Sequence, residues 1–132
     1  MTWKSFGTGR CLSFEVRFVD QAITWLGTAS CNGSGSSYQT WYDTQYSDGY
    51  WTERPRITGT GGSNYCLTSY GEEVYTEPCQ NPPNDWQRWA EIKVGSGWHL
   101  KSKATGMLLD SNAGGSVYGR PGNDGNLYQL WG

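Results

Sequence analysis

The chain has 132 residues and a formal net charge of −2, enough length for one core and one domain. It has no basic excess of the kind that binding to nucleic acid or an anionic membrane surface requires. No apolar run approaches the roughly 20 residues of a membrane span, and the first residues carry no signal-peptide pattern. Met1 therefore fits a cytosolic chain or a mature domain without its leader. Nineteen glycines and eight tryptophans imply many tight turns and large aromatic plates, used in the core or as exposed platforms.

From the N terminus, Trp3 to Phe6 alternates like a short strand, and Gly7-Thr8-Gly9 turns it into Cys11-Leu12. Phe14, Val16 and Phe18 alternate with Glu15 and Arg17, a strand with one face on the core. Ile23 to Leu26 is the next strand, and Asn32 to Ser37 is a Gly/Ser loop before Tyr38 and the triplet Gln39-Thr40-Trp41. Asp48-Gly49, between Tyr46 and Tyr50-Trp51, is a hairpin signal. Arg56-Ile57-Thr58 opens a second stretch, which runs through Cys66-Leu67 to Gln87-Arg88-Trp89. Trp89 to Val94 alternates, Gly95-Ser96-Gly97 turns, and Trp98-His99-Leu100 opens a third stretch closed by Gln129-Leu130-Trp131. There is no helical periodicity of useful length, and short strands between Gly-rich turns predict an all-β fold.

The closing triplets lie 48 and 42 residues apart, so the chain is an internal threefold repeat. A single domain over residues 1–132 divides into units at about 1–54, 55–97 and 98–132. Such short units cannot bury an apolar face alone; packed around an axis they share one core. Leu12, Leu67 and Leu109 are the expected core plugs, with Trp41, Trp89 and Trp131 closing the core beside them. Gln39, Gln87 and Gln129 read as buried amides that tie the backbone of each unit together.

Four cysteines allow three pairings. The repeat favours Cys11–Cys31 and Cys66–Cys79, because Cys11 and Cys66 both precede the plug leucine and Cys31 and Cys79 both follow the middle strand. The third unit has Leu108 and Gly122 at those places, so a whole pair is missing, as the loss of a bonded pair predicts. Two disulfides favour an oxidising, extracellular setting, and secretion is the expected localisation.

Cys-Leu at unit starts, a second Cys after the middle strand and Gln-x-Trp at unit ends resemble the ricin B-type lectin family, the R-type β-trefoils. The third unit, Thr105 to Trp131, resembles further the repeat of the actinohivin-like lectins of actinomycetes: TG-x-LLDSN, a Gly-rich turn, VY, a Pro-containing turn and Y-Q-x-W. The resemblance covers nearly the whole chain, with residues 13–30 and 42–55 matching least. It implies a β-trefoil of about twelve short strands, a six-stranded barrel capped by a hairpin triplet, up to three sugar sites and no catalysis.

In the family's sites an Asp near the unit start binds hydroxyls, a middle-strand aromatic packs on the sugar ring, and an Asn and a second aromatic complete the pocket. The resemblance assigns these roles in the third unit to Asp110, Tyr118, Asn123 and Tyr128, with Leu127 as an inserted residue. The chemistry suits a sugar: an ionised carboxylate accepts bonds from neighbouring hydroxyls, an amide offers acceptor and donors, and an aromatic face takes the C–H side of a pyranose. The structural alternative makes Asp110 a turn residue capping the amides of Asn112 or Gly114, and Tyr118 a barrel tyrosine. In the second unit Thr68, Tyr75, Gln80 and Trp86 stand at the matching places. Thr68 lacks charged acceptors, which leaves Glu72 or Glu73 as substitutes from the turn, and sugar binding is expected to be weak or absent there. In the first unit Ser13 and Gly27 replace the Asp and the aromatic, only Asn32 and Tyr38 match, and Asp20 with Trp25 would form a site of another kind. One intact site is expected.

The expected function is a carbohydrate-binding lectin, not an enzyme, directed at mannose or high-mannose glycans. One alternative is a galactose-, N-acetylgalactosamine- or xylan-binding module of a larger secreted enzyme or toxin. Another is a protein-binding or protease-inhibitor-like trefoil, with Tyr46, Tyr50 and Trp51 as its anchor patch. Partners are then glycans or glycoproteins, with self-association or tethering for avidity, and neither nucleic acid nor membrane insertion. No cofactor or metal is expected: the cysteines lack zinc-ligand spacing, and Asp110 can bond hydroxyls directly. The adjacent Glu72 and Glu73 point apart and are unsuited to flank a glycosidic bond. His99, beside Trp98, has no catalytic motif near it.

Overall fold

Runs of alternating β-branched and aromatic residues between Gly-rich turns form ten strands in the computed structural model, which describes residues 1–18, 22–31, 38–56, 64–123 and 125–132. They are β1 (Cys11–Phe18), β2 (Ala22–Ala29), β3 (Trp41–Gln45), β4 (Trp51–Pro55), β5 (Tyr65–Tyr70), β6 (Glu73–Pro78), β7 (Trp89–Val94), β8 (Gly97–Ser102), β9 (Leu108–Ser111) and β10 (Val117–Arg120). The two remaining strands of a trefoil are reduced to isolated bridges, Lys4 with Cys11, Ser5 with Trp131, and Trp98 with Trp131. Single 3-10 turns, Asp85–Gln87 and Leu127–Gln129, precede the second and third closing tryptophans. Among the described residues no helix is long and apolar enough to cross a membrane.

The strands β10-β9-β8-β7-β4-β3 form one antiparallel sheet, and β1–β2 and β5–β6 are separate hairpins. Trp41 pairs with Pro55, Trp89 with Ser102, and Trp131 with Ser5. These contacts are equivalent, and the last brings the end of the chain back to its beginning, so the repeat closes on itself. The same register matches β4 to β8.

The three hairpins β1–β2, β5–β6 and β9–β10 contact one another pairwise. Backbone approaches backbone closely there: Thr28 N–H donates to the Gly115 carbonyl and Gly119 N–H to the Glu72 carbonyl. A Cβ at Gly27 would lie 2.6 Å from the Gly115 carbonyl oxygen, and one at Gly119 would lie 2.9 Å from that of Gly71. Glycine is required at both positions for lack of room.

The core consists of Trp3, Leu12, Phe14, Trp41, Leu67, Trp89, Leu100, Leu109 and Trp131. Each closing indole N–H donates to the carbonyl of its own unit's plug leucine: Trp41 to Leu12 at 3.0 Å, Trp89 to Leu67 at 2.9 Å and Trp131 to Leu109 at 3.1 Å. The preceding glutamines are buried as well. Their Nε2 groups donate to the carbonyls of Ser30, Pro78 and Pro121 at 2.9, 3.0 and 3.0 Å. Oε1 of Gln87 accepts from Gln80 N–H and that of Gln129 from Asn123 N–H.

Both disulfides form, Cys11–Cys31 and Cys66–Cys79. In the third unit Leu108 takes their place: a Cβ built at Gly122 would lie 3.3 Å from a Leu108 methyl carbon. An apolar contact there stands in for the cross-link.

Asp48, at the hairpin turn between β3 and β4, binds Arg88 at 2.8 Å and Lys103 at 2.9 Å, and Lys103 also reaches Asp85 at 3.2 Å. The Arg88 guanidinium lies over the Tyr46 ring and the Lys103 ammonium over that of Tyr50. Tyr46, Tyr50 and Trp51 are half-buried, the two tyrosines under cations, not the exposed anchor trio that a protein-binding trefoil would present.

The hydrogen bond from Lys103, aided by Arg88, holds the Asp48 carboxyl down at about 2. A depressed carboxylate stabilises the fold fully above the ordinary Asp value near 4 and loses that contribution as pH falls through its folded value. Asp48→Asn is thus expected to lower Tm at pH 7, with the gap to the native chain closing as pH drops through about 2. Replacing Cys66 and Cys79 together by alanine removes a cross-link across 13 residues, and denaturant unfolding is expected to lose about 3 kcal/mol.

Candidate functional site

Asp110 on β9 and Tyr118 on β10 are directly opposed in the hairpin register, so their side chains emerge side by side on one face. The 3-10 turn Leu127–Gln129 brings Tyr128 across from them. A cleft of about 260 Å³ results, lined by Asp110, Ser111, Asn112, Tyr118, Asn126 and Tyr128, with Ala113 at its edge.

Asp110 is 7 % exposed and held at both oxygens. Ser111 N–H donates to Oδ1 at 2.7 Å and Gln129 Nε2 to Oδ2 at 3.2 Å. Each carboxylate oxygen keeps a further lone pair, so a rigidly aimed acceptor remains at the cleft wall. The turn amides of Gly114 and Ser116 are capped by Asn112 Oδ1, at 2.9 and 3.1 Å, so Asp110 does not serve that turn.

The Tyr118 hydroxyl donates to the Ser111 carbonyl at 3.1 Å, which fixes its ring. Tyr118 also borders a second groove, shared with Glu72, Glu73 and Tyr75 of the middle unit. There the Arg120 guanidinium lies 4.4 Å over the Tyr118 ring and reaches Glu72 at 3.4 Å. Tyr128 is 43 % exposed; its ring rests on Gly7, where a Cβ would come within 2.8 Å of it.

Of the expected residues, Asp110, Tyr118 and Tyr128 come together and Asn123 does not line the cleft. The Asn123 N–H is spent on Gln129 Oε1, and Asn126 lines the cleft instead. Asn126 Oδ1 caps the 3-10 turn by accepting from Tyr128 N–H at 3.0 Å. Among the described residues its Nδ2 has no partner, so it offers the amide donors expected from Asn123. An Asn two residues before the exposed tyrosine is the N-cap pattern that identifies it.

The second unit is built differently. The Thr68 hydroxyl donates to the Cys66 carbonyl at 2.9 Å and is buried. Tyr70 stands where the third unit has Asn112, and its ring stacks between Tyr75, centroids 5.5 Å apart, and Trp86, 5.0 Å apart. The ring thus occupies the space between these two aromatics. Gln80 is tied by its backbone to Gln87. The carboxylate nearest to Gln87 Nε2 is Glu77, at 3.4 Å, on the middle strand; Glu72 is turned to Arg120. Burial and the charge of Glu77 push the Tyr75 phenol up to about 12.

In the first unit Ser13 Oγ donates to the Cys11 carbonyl and accepts from Gln39 Nε2. Gly27 opposes Ser13, and the Trp25 indole covers it: a Cβ there would lie 2.6 Å from the ring. Tyr38 is half exposed. Asn32 and Asp20 lie outside the described residues.

A family profile described as the ricin-type β-trefoil lectin domain matches residues 2–131. No curated protein sequence matches significantly. Among solved structures, the GlcNAcα1-4Gal-releasing endo-β-galactosidase of Clostridium perfringens superimposes with a TM-score of 0.75 at 14 % identity, over 98 % of this chain and 31 % of that one. The designed three-fold symmetric protein ThreeFoil gives 0.73 at 22 % identity, over 98 % and 94 % of the two chains. SeviL, bound to asialo-GM1 saccharide, gives 0.71 at 19 %, over 98 % and 91 %. These likenesses establish the fold. The chain spans about a third of the length of the galactosidase.

Gln129→Leu would leave Asp110 Oδ2 and Asn123 N–H without their partner inside the protein. It is expected to cost about 2 kcal/mol in urea unfolding, and nuclear magnetic resonance should show the Asn123 amide displaced.

Proposed function

This chain belongs to the ricin-type β-trefoil lectin domain family, and on that premise we propose that it binds glycans through the Asp110 cleft of its third unit. As a lectin domain it is a binding module, not a catalyst. The observation that carries the reading is the carboxylate of Asp110, oriented at both oxygens by Ser111 and Gln129 beside Tyr118 and the exposed Tyr128. Two adjacent sugar hydroxyls donate to Asp110, Asn126 donates to a third oxygen, and Tyr128 covers the apolar face of the ring. The second and first units have Thr68 and Ser13 in place of the carboxylate, and Tyr70 fills the second pocket. The ligand class is terminal mannose or high-mannose chains, supported by the likeness of Thr105–Trp131 to an actinohivin-like repeat.

A galactoside is the second reading. It draws on SeviL, bound to asialo-GM1 saccharide, and on the galactosidase among the structural neighbours. A site of this size holds a monosaccharide with a Kd on the order of 0.1 to 1 mM. Useful avidity then comes from self-association or from tethering in a larger secreted protein, and the two disulfides suit that extracellular setting.

A glycan array with the labelled domain tests this beside Asp110→Asn, which keeps the shape of the side chain, and Thr68→Ala. Binding to terminal mannosides should fall at least about tenfold in Asp110→Asn and persist in Thr68→Ala. Galactoside binding with the same loss would change the ligand but keep the site. Undiminished binding by a folded Asp110→Asn, checked by near-ultraviolet circular dichroism, would overturn the site.

A further inference from the structure

The register places a carboxylate where the other units have apolar core. Pro55 faces Trp41 as Ser102 faces Trp89 and Ser5 faces Trp131. Counting back two residues, Glu53 on β4 is equivalent to Leu100 and Trp3, which are both fully buried. Glu53 is also fully buried. Two residues after their closing tryptophans stand Asp43, opposite Glu53, and Glu91, opposite Leu100. Carboxylate oxygens of Asp43, Glu53 and Glu91 all lie within 4.8 Å of one another.

Little in the protein answers this charge. Trp3 Nε1–H donates to Glu53 Oε2 at 3.4 Å. Glu53 Oε1 is shielded from solvent and receives no N–H or hydroxyl donor, and Glu91 Oε2 is in the same condition. No lysine or arginine among the described residues forms an ion pair with any of the three carboxylates. Burial first, and then the Glu91 carboxyl, push Glu53 well above the ordinary carboxylate range, and burial raises Glu91. Carboxylates so arranged need either a shared proton or a cation between them.

We propose that Asp43, Glu53 and Glu91 form a binding site for a hard divalent cation of the calcium class. The carboxylate of Glu53 that belongs to this cluster is fully buried and its Oε1 has no partner, which separates this group from a solvated acidic patch. Ca²⁺ binds oxygens at about 2.3–2.6 Å, so two of its ligands lie up to about 5 Å apart; a spread within 4.8 Å meets that limit. The donors are all carboxylate oxygens, with neither sulfur nor imidazole among them, which suits calcium and not zinc. Asp43 and Glu91 are only half-buried, leaving an entry path and room for water to complete the coordination. With three protein ligands the affinity belongs to the weak extracellular range, Kd about 10⁻⁴ to 10⁻³ M. The ion would join β3, β4 and β7 across the division between the first two units, independently of the sugar cleft.

Terbium, a luminescent stand-in for Ca²⁺, tests this on the full chain, since the Trp3 indole bonded to Glu53 is a ready energy donor. Tryptophan excitation should give terbium emission that Ca²⁺ displaces, and Ca²⁺ at about ten times its Kd should raise Tm by about 5 °C. Asp43→Asn and Glu91→Gln, each of which relieves repulsion and should fold, are expected to weaken both responses at least tenfold. A native chain giving neither emission nor a Ca²⁺-dependent rise in Tm would show that a proton alone neutralises the cluster and would overturn the site. Responses unchanged in both variants would overturn it equally, placing the ion elsewhere.

Discussion

Everything in this fold hangs on the buried clasp at the end of each unit. An indole N–H reaches the plug leucine carbonyl, and the glutamine two residues earlier ties down a carbonyl at the end of the middle strand or just after it. Each bond satisfies a polar group that the core would otherwise leave without water, at a cost of about 1–3 kcal/mol apiece. The clasp also fixes the distance between the start and the end of a unit. Three such units then meet around one core, and the Ser5–Trp131 bridge closes the ring.

The same clasp that builds the barrel also orients the Asp110 carboxylate. Gln129 Nε2 reaches both the Pro121 carbonyl and Asp110 Oδ2, so structure and site share one amide. In the other units that amide meets a neutral hydroxyl, Ser13 at 3.0 Å and Thr68 at 3.5 Å. The scaffold is thus retained in all three units while the charged acceptor survives in one. In those two units the protein's own rings occupy the corresponding space: Tyr70 between Tyr75 and Trp86, and Trp25 over Gly27.

Two further departures from symmetry fall where units meet. Asp48 gathers cations from the second and third units at the β3–β4 turn. Glu53 enters the core at a place held elsewhere by Leu100 and Trp3, and its acidic neighbours come from positions related by the repeat. A threefold arrangement brings equivalent positions close together near its axis. Like charges at such positions therefore concentrate, and a counter-ion or a proton has to answer them.

The repeat, the all-β class, the disulfide partners, the clasp residues and the carboxylate Asp110 were legible in the sequence, because each depends on residue type at a fixed spacing within a unit. Leu12 or Trp131 needs no neighbour from another unit to declare its role. The exchange of Asn123 for Asn126, the closure of the second pocket by Tyr70 and the cations over Tyr46 and Tyr50 were not legible. The gathering of Asp43, Glu53 and Glu91 was equally hidden, since residues ten and 38 positions apart share a point only once the strands are in register. Periodicity sets which side chains face inward, but the direction of a turn and the crossing of strands between units set which of them touch. Only the closed tertiary structure decides that, because it is where the separate units come to share one axis and one core.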